Sequence, residues 1–432
     1  MRKELLPGRV QKEVTYPTPP AALTNSSRRK FLKGSSLFAI STAVGAHVPF
    51  ARFFPDGLIP VALAQGAVDF SAIGKNHELV VLGDKPLVME TPAHLLDDDI
   101  TPIEQLFTRN NGLPPDRASI DVANWTLTID GESVMKEVKF TLAELKNRFR
   151  IVTQHLWIEC AGNGRASFYP PAKGNQWTYG GVGFPMWTGV LLRDVLKTVD
   201  VKQDAVYFAY YSADAHLSGD TSKPVISRGA PITKARQGDV MLAWAVNGGD
   251  LPILHGYPLR LVVGGYPGSV SGKWLQRISI RNKVHDGPKM GGTDYRVACE
   301  PIAPGEESKN YCILEQMPVK SLITFPRSGI QHEFGQPMTV RGQAWTGQKQ
   351  VQEVHVSYNF GQTWVATQLK SARNPSGPQR FSADLKFSQK GYYEIWARAT
   401  DNTGKMQPMV TPGWNAGGYG SNAMHRIAVR VV

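Results

Sequence analysis

The chain has 432 residues, 42% hydrophobic and 19% charged, which is enough apolar material for two or three ordinary domains. Half of the formal charge of +12 lies in residues 1–64, which hold nine Lys/Arg against three Asp/Glu, and no long basic run follows. That excludes an obvious nucleic-acid surface and leaves a solvated basic face or a basic mouth for a small anion.

The first 64 residues read as a leader. Ser27-Arg28-Arg29-Lys30-Phe31-Leu32-Lys33 has the form of a twin-arginine signal, a moderately apolar stretch runs from Leu37 to about Val48, and Ala62-Leu63-Ala64 has the small-x-small pattern of a cleavage site. The apolar stretch is shorter than the roughly 20 residues a membrane span needs. The expectation is a periplasmic mature chain without a span, exported already folded, as a cofactor assembled in the cytoplasm would require.

Residues 66–120 form an extended stretch punctuated by Pro and Gly. Trp125–Ile129 alternates apolar and polar and then meets Asp130-Gly131, a strand running into a turn. Thr141-Leu142-Ala143-Glu144 fits a capping box and predicts a short helix to about Phe149. A strand is expected over 152–159, ending at Cys160, and the spacing from Val190 to Val199 is helical. Ala205–Tyr211 and Leu259–Val263 suit buried strands. This mixture predicts one α+β domain over residues 65–310. Beyond Met317-Pro318 the pattern changes to short strands and turns: Val354, Val356 and Tyr358 alternate before Asn359-Phe360-Gly361, and Tyr393, Ile395 and Ala397 before Asp401-Asn402-Thr403-Gly404. Residues 311–432 are therefore expected to form an immunoglobulin-like β-sandwich.

Three cysteines with no Cys-x-x-Cys pair exclude a disulfide-rich scaffold, a zinc ribbon and a thioredoxin-like site. No Cys-x-x-Cys-His is present, so haem cannot attach through the usual c-type motif. Cys299 and Cys312 lie near the domain junction. The periplasm permits a bridge, but folding in the cytoplasm favours two unpaired thiols, and that is the expectation.

Chemistry concentrates in His155-Leu156-Trp157-Ile158-Glu159-Cys160-Ala161-Gly162-Asn163-Gly164-Arg165. A strand delivers a thiol into a Gly-rich loop with a guanidinium five positions on, suited to close backbone approach and to an oxyanion. Alone, such a cysteine is more often a buried structural residue. Other segments accompany it in order: Phe107-Thr108-Arg109-Asn110-Asn111, Tyr211-Ser212-Ala213-Asp214, His255-Gly256-Tyr257-Pro258-Leu259-Arg260, Gly264-Gly265 through Ser271-Gly272-Lys273-Trp274, and Thr293-Asp294-Tyr295-Arg296. A Walker phosphate loop does not explain the Gly-rich stretch, because Pro267 and Trp274 stand at two of its required positions.

In content and order, over about residues 75–432, these segments resemble the sulfite oxidase family of molybdenum enzymes. The resemblance implies a Mo-molybdopterin cofactor with Cys160 as the protein ligand to the metal, and no haem in this chain. It implies cofactor contacts from Phe107, Asn110, Asn111, Asp214, His255, Arg260, Ser271, Gly272 and Lys273. Arg109 and Arg165 would bind the oxygens of sulfite, Tyr295 would hydrogen-bond at the reacting centre, and Trp177 would line the pocket. It further implies oxidation of sulfite to sulfate, an external c-type cytochrome as electron acceptor, and a homodimer through the C-terminal domain. The implied protein is closest to a bacterial periplasmic sulfite dehydrogenase, the molybdenum subunit without haem. The donor types suit this chemistry: a soft thiolate tunes molybdenum and is deprotonated on coordination, while Gly-rich loops beside Arg260 and Lys273 offer N–H groups and cations to a phosphate.

Two positions depart from the family pattern. In Trp414-Asn415-Ala416-Gly417-Gly418-Tyr419, Gly417 stands where the family has an anion-binding arginine, and Asn111 replaces a family histidine. Asn422-Ala423-Met424-His425-Arg426 still matches. Three alternatives remain open: a sulfane dehydrogenase subunit of a thiosulfate-oxidising complex, a molybdopterin reductase of methionine sulfoxide, and a non-catalytic secreted binding protein. The C-terminal sandwich speaks against the reductase.

Overall fold

The structure, a computed structural model, describes residues 68–220, 222–303, 306–411 and 413–432. The leader assigned to residues 1–64 lies outside them. Where the sequence showed only an extended stretch, β1 (Val80–Asp84), β2 (Leu87–Glu90) and β3 (Thr108–Arg109) form a three-stranded antiparallel sheet. The alternation after Trp125 gives β4 (Thr126–Asp130), which pairs with β5 (Val138–Thr141) and turns Leu127 and Ile129 into the core. Thr141 then starts α1 (Leu142–Arg148) with the expected capping box: its Oγ accepts from Glu144 N at 3.1 Å, and Glu144 Oε2 accepts from Thr141 N at 2.8 Å.

The strand expected over 152–159 is two strands, β6 (Ile151–His155) and β7 (Ile158–Glu159). They have different partners, β7 pairing with β8 (Val182–Gly183) and β6 with β9 (Met186–Leu191). The helical spacing of 190–199 yields only α2 (Leu192–Leu196), because Val190 and Leu191 are taken into the ladder opposite Leu242 and Met241. Then follow β10 (Tyr207–Ser212), β11 (Gly229–Pro231), α3 (Ile232–Ala235), β12 (Val240–Val246), β13 (Gly249–Asp250), β14 (Arg260–Val263) and β15 (Leu275–Arg281). Two sheets result, β11-β10-β15-β4-β5 and β13-β12-β9-β6, with β14 paired to β12. Leu127, Phe140, Val190, Leu242, Leu261 and Ile278 join both in one core.

β16 (Arg296–Ala298) pairs with β17 (Tyr311–Ile313). That ladder sets Cys299 and Cys312 side by side as a disulfide with Cα atoms 5.0 Å apart, which corrects the expectation of two unpaired thiols. Compartment and export route had decided that expectation. The local hairpin decides the outcome by holding the two Cα atoms within bridging distance.

The rest is β18 (Lys320–Phe325), β19 (Ile330–His332), β20 (Met338–Trp345), β21 (Val351–Ser357), β22 (Val365–Ala366), β23 (Gln368–Leu369), β24 (Gln379–Leu385), β25 (Gly391–Asp401) and β26 (His425–Val431). They form the sheets β18-β20-β24-β23 and β19-β26-β25-β21-β22. Ile323, Val340 and Phe381 of one sheet meet Val356, Ile395 and Val429 of the other in a shared core, which makes a two-sheet sandwich. Among the described residues no helix is long and apolar enough to cross a membrane.

His425, at the head of β26, reaches back toward the first domain. Its Nδ1 accepts from Ile323 N at 3.1 Å, and its ring meets Tyr179 edge-on at 4.5 Å. Burial pushes its pKa from 6.5 to about 3. A depressed folded value means that the neutral ring's contribution is complete above pH 6.5 and is lost as pH falls through the window down to about 3, where the unfolded chain takes the proton first. His155, His255 and His285 are shifted in the same direction by burial. The urea midpoint should therefore fall as pH drops below about 6.5, with a shallower slope in His425→Asn. Equal slopes in the two proteins would remove His425 from this account.

Candidate active site

The site is built outward from Cys160, the one unpaired cysteine among the described residues. β7 carries it to a tight loop in which Cys160 N donates to Gly181 O at 2.8 Å and Asn163 N donates to Cys160 O at 2.9 Å. Gly164 sits at φ +89, and a Cβ there would lie 2.7 Å from Ser421 Oγ, so this glycine serves both the turn and the close passage of the C-terminal chain. Gly420 N donates to Ala161 O at 3.0 Å, so the second domain also touches the loop. Just before the thiol, the fully buried Glu159 accepts from Lys320 Nζ at 2.5 Å, Asn163 Nδ2 at 2.8 Å and Trp345 Nε1 at 2.8 Å. Lys320 and Trp345 belong to β18 and β20, so the sandwich anchors the strand that presents the cysteine.

Cys160 opens onto a cavity that gathers most of the residues singled out from the sequence. Phe107, Arg109 and Asn111 come from β3 and its two flanks, Asp214 from just past β10, His255 from the approach to β14 and Arg260 from its first position. Ser271, Gly272 and Lys273 come from the Gly-rich loop, and Tyr295 closes one side. Arg260 is buried and donates to His255 O at 2.9 Å and to Ser271 O at 3.2 Å, and burial lowers it to about 9. Lys273 donates to Arg109 O at 3.0 Å, to Leu254 O at 2.9 Å and to Asn110 Oδ1. Its ammonium thus ties the Phe107–Asn111 segment to the His255 segment. Burial raises Asp214 to about 6, against the pull of Lys273.

Three of the expected residues do not line this cavity. Asn110 is fully buried behind it, with Nδ2 lacking a partner. Trp177 is also fully buried and packs edge-on against Phe107 at 5.8 Å. Arg165 is turned into the protein: Nε donates to Gly417 O at 2.7 Å and Nη1 to Asn175 O at 2.9 Å. The lining also has an apolar and aromatic part, from Leu106, Phe107, Ile158, Ala161, Ile226 and Tyr295.

Two neighbours of Tyr295 escaped the sequence reading. The guanidinium of buried Arg228 lies 4.2 Å from the Tyr295 ring centroid and donates to Ser269 Oγ at 3.0 Å. Tyr419 stacks on Tyr295 at 4.9 Å, and Arg165 lies 5.3 Å over Tyr419. Tyr295 itself sits at φ +51, an uncommon backbone for a bulky residue, over-determined here by these contacts. Nothing local in Ser227-Arg228-Gly229 marks that arginine.

The comparisons agree with this geometry. Residues 113–289 match the family described as oxidoreductase molybdopterin binding domain, and residues 311–432 match the Mo-co oxidoreductase dimerisation domain. Sulfite oxidase from Gallus gallus is 31% identical over 362 residues, covering 81% of this chain and 77% of that protein. The chain belongs to the sulfite oxidase family. The mitochondrial sulfite oxidase of Homo sapiens is 30% identical, with 83% of this chain and 66% of that protein covered, so the chain spans about two thirds of that relative. Among solved structures, the sulfane dehydrogenase SoxCD from Paracoccus pantotrophus superposes with a TM-score of 0.66 at 27% identity, over 88% of this chain and 96% of that one.

Mo-molybdopterin is the cofactor of this sulfite oxidase family member, and its residues fit the group. The Cys160 thiol faces the cavity, and Arg260, Lys273 and His255 stand around the Gly-rich loop. The Phe107–Asn111 segment holds two buried polar atoms without protein partners, Thr108 Oγ1 and Asn110 Nδ2. At Gly272 a Cβ would come within 2.3 Å of the Tyr210 ring, so the backbone there stays bare.

Proposed function

We propose that this chain is the molybdenum subunit of a periplasmic sulfur dehydrogenase and that it oxidises sulfane sulfur in preference to free sulfite. The observation that carries this is the placement of Arg165. Its Nε and Nη1 donate to Gly417 O and Asn175 O, which holds the guanidinium away from the cavity lining, and Gly417 has no side chain to take its place. Of the three guanidinium groups that the family resemblance assigns to an anion pocket, only Arg109 lines the cavity. A dianion such as sulfite loses charge-assisted hydrogen bonds in such a pocket, whereas a terminal sulfur with a lower charge suits walls of Phe107, Ile158, Ile226 and Tyr295. The similarity to the sulfane dehydrogenase over nearly its whole length supports this.

When bound, the cofactor supplies a two-electron acceptor tuned by the Cys160 thiolate. The residues of this chain bind and orient: Arg109 holds the one charged edge, Tyr295 offers a hydroxyl held by stacking, and the apolar wall positions the reacting sulfur. Each step adds one oxygen from water and releases two protons and two electrons. A c-type cytochrome takes one electron at a time, so the reduced centre discharges twice to an external carrier, at a transient interface on the order of 1,200 Å² or less. Export by the twin-arginine route and pairing of two copies through the C-terminal sandwich complete the proposal.

Sulfite oxidation is the second reading, favoured by Arg109 in the cavity and by the similarity to sulfite oxidase. Steady-state oxidation of sulfite, thiosulfate and protein-bound sulfane sulfur, measured on one preparation with ferricyanide or cytochrome c as acceptor, separates the two. The expected result is a higher kcat/KM for the sulfane substrate. A higher kcat/KM for sulfite would establish the second reading instead.

A further inference from the structure

Lys75 belongs to none of the motifs above, yet its side chain is buried and reaches His255, which lines the cavity. Its ammonium nitrogen lies 2.7 Å from Ile103 O, 2.7 Å from Leu106 O and 2.6 Å from His255 Nε2. An ammonium has three donors and no acceptor. The nitrogen has three polar neighbours, two carbonyl oxygens and one imidazole nitrogen.

His255 lines the cavity and is held from both sides of its backbone, its N–H donating to Pro252 O at 2.9 Å and its carbonyl accepting from Arg260 at 2.9 Å. Burial, with the cations Lys75, Lys273 and Arg260 around it, keeps the ring well below its ordinary pKa, so it is neutral. A neutral imidazole whose Nε2 accepts must carry its proton on Nδ1. Among the described residues Nδ1 has no hydrogen-bond partner, and His255 lines the cavity.

We propose that Lys75 is a positioning residue of the cofactor site, which fixes His255 as a neutral Nδ1–H donor toward an acceptor oxygen of the bound pterin. One competing arrangement satisfies the same distances: a neutral Lys75 amine would accept from Nε2–H and leave Nδ1 a bare acceptor. Burial lowers Lys75 to about 7, with Glu104 opposing, which brings that arrangement within reach. The Glu104 carboxylate favours the ammonium, because an anion nearby favours the charged form of a base. The inference rests on the family cofactor and not on which sulfur compound is oxidised.

The test is nitrogen NMR of ¹⁵N-histidine-labelled holoenzyme, with the His255 signals assigned by their loss in His255→Gln. Wild type should show a protonated Nδ1 and a lone-pair Nε2 at His255. Lys75→Met should shift that tautomer and retain pterin about tenfold less well, the order expected when the partner orienting a ligand-holding imidazole is removed. An Nε2–H tautomer in the wild-type holoenzyme overturns the proposal. So does a folded Lys75→Met protein with unchanged tautomer and full pterin content. The wild-type spectrum decides the matter even where the variant does not fold, and separate pterin analysis shows whether the cofactor is there to be bound.

Discussion

Replacing Cys160 with serine should leave a folded chain that turns over no sulfur substrate. The fold should survive because the loop is held by backbone bonds, from Cys160 N to Gly181 O and from Asn163 N to Cys160 O, and serine keeps both. Activity should not survive, because the hydroxyl is a hard donor that stays protonated and cannot share electron density with molybdenum as a thiolate does. The cavity residues Arg260, Lys273 and His255 remain, so part of the pterin should still co-purify. Thermal unfolding, pterin and metal analysis, and turnover with ferricyanide measure the three parts separately. Near-normal turnover at full metal content would take Cys160 out of the site.

The second large effect concerns stability. Lys320→Met removes the cation from fully buried Glu159, leaving the carboxylate with Trp345 Nε1 and Asn163 Nδ2. Breaking one side of a buried pair costs about 3–5 kcal/mol, because the remaining charge stays out of water without compensation. The urea midpoint should fall accordingly, and turnover with it, since Glu159 is the residue before Cys160. The double variant Glu159→Gln with Lys320→Met should recover most of the stability: the amide oxygen still accepts hydrogen bonds and no charge is buried. A single variant within about 0.5 kcal/mol of wild type, the range of ordinary surface substitutions, would show that the pair does not anchor the cysteine strand.

Much of the site was legible because its segments are locally encoded. Gly162, Gly164 and Gly272 stand where a side chain would collide with Arg165, Ser421 or Tyr210, so their places in the chain announce the loops. The Thr141 capping box and the alternation of β4, β21 and β25 were legible for a similar reason, since capping and period-two patterning need only neighbours in sequence. Two boundaries went astray where pairing overrode spacing. Val190 fits a helix by periodicity, yet it sits opposite Leu242 in a sheet, and residues 152–159 divide because their halves find different partners.

By itself the sequence determined the thiol, the order of the cofactor segments, the family, and a catalytic region followed by a β-rich one, because each is written in contiguous residues. Tertiary structure alone decided which distant side chains support that site. Lys75 meets His255 across 180 residues, Lys320 meets Glu159 across 161, and Arg165 is drawn to Gly417 across 252. Sheet packing creates these contacts, and a residue that acts only through a distant partner leaves no period, cap or turn in its own neighbourhood. The disulfide between Cys299 and Cys312 follows the same logic over a shorter span, since it depends on a hairpin ladder that neither cysteine encodes.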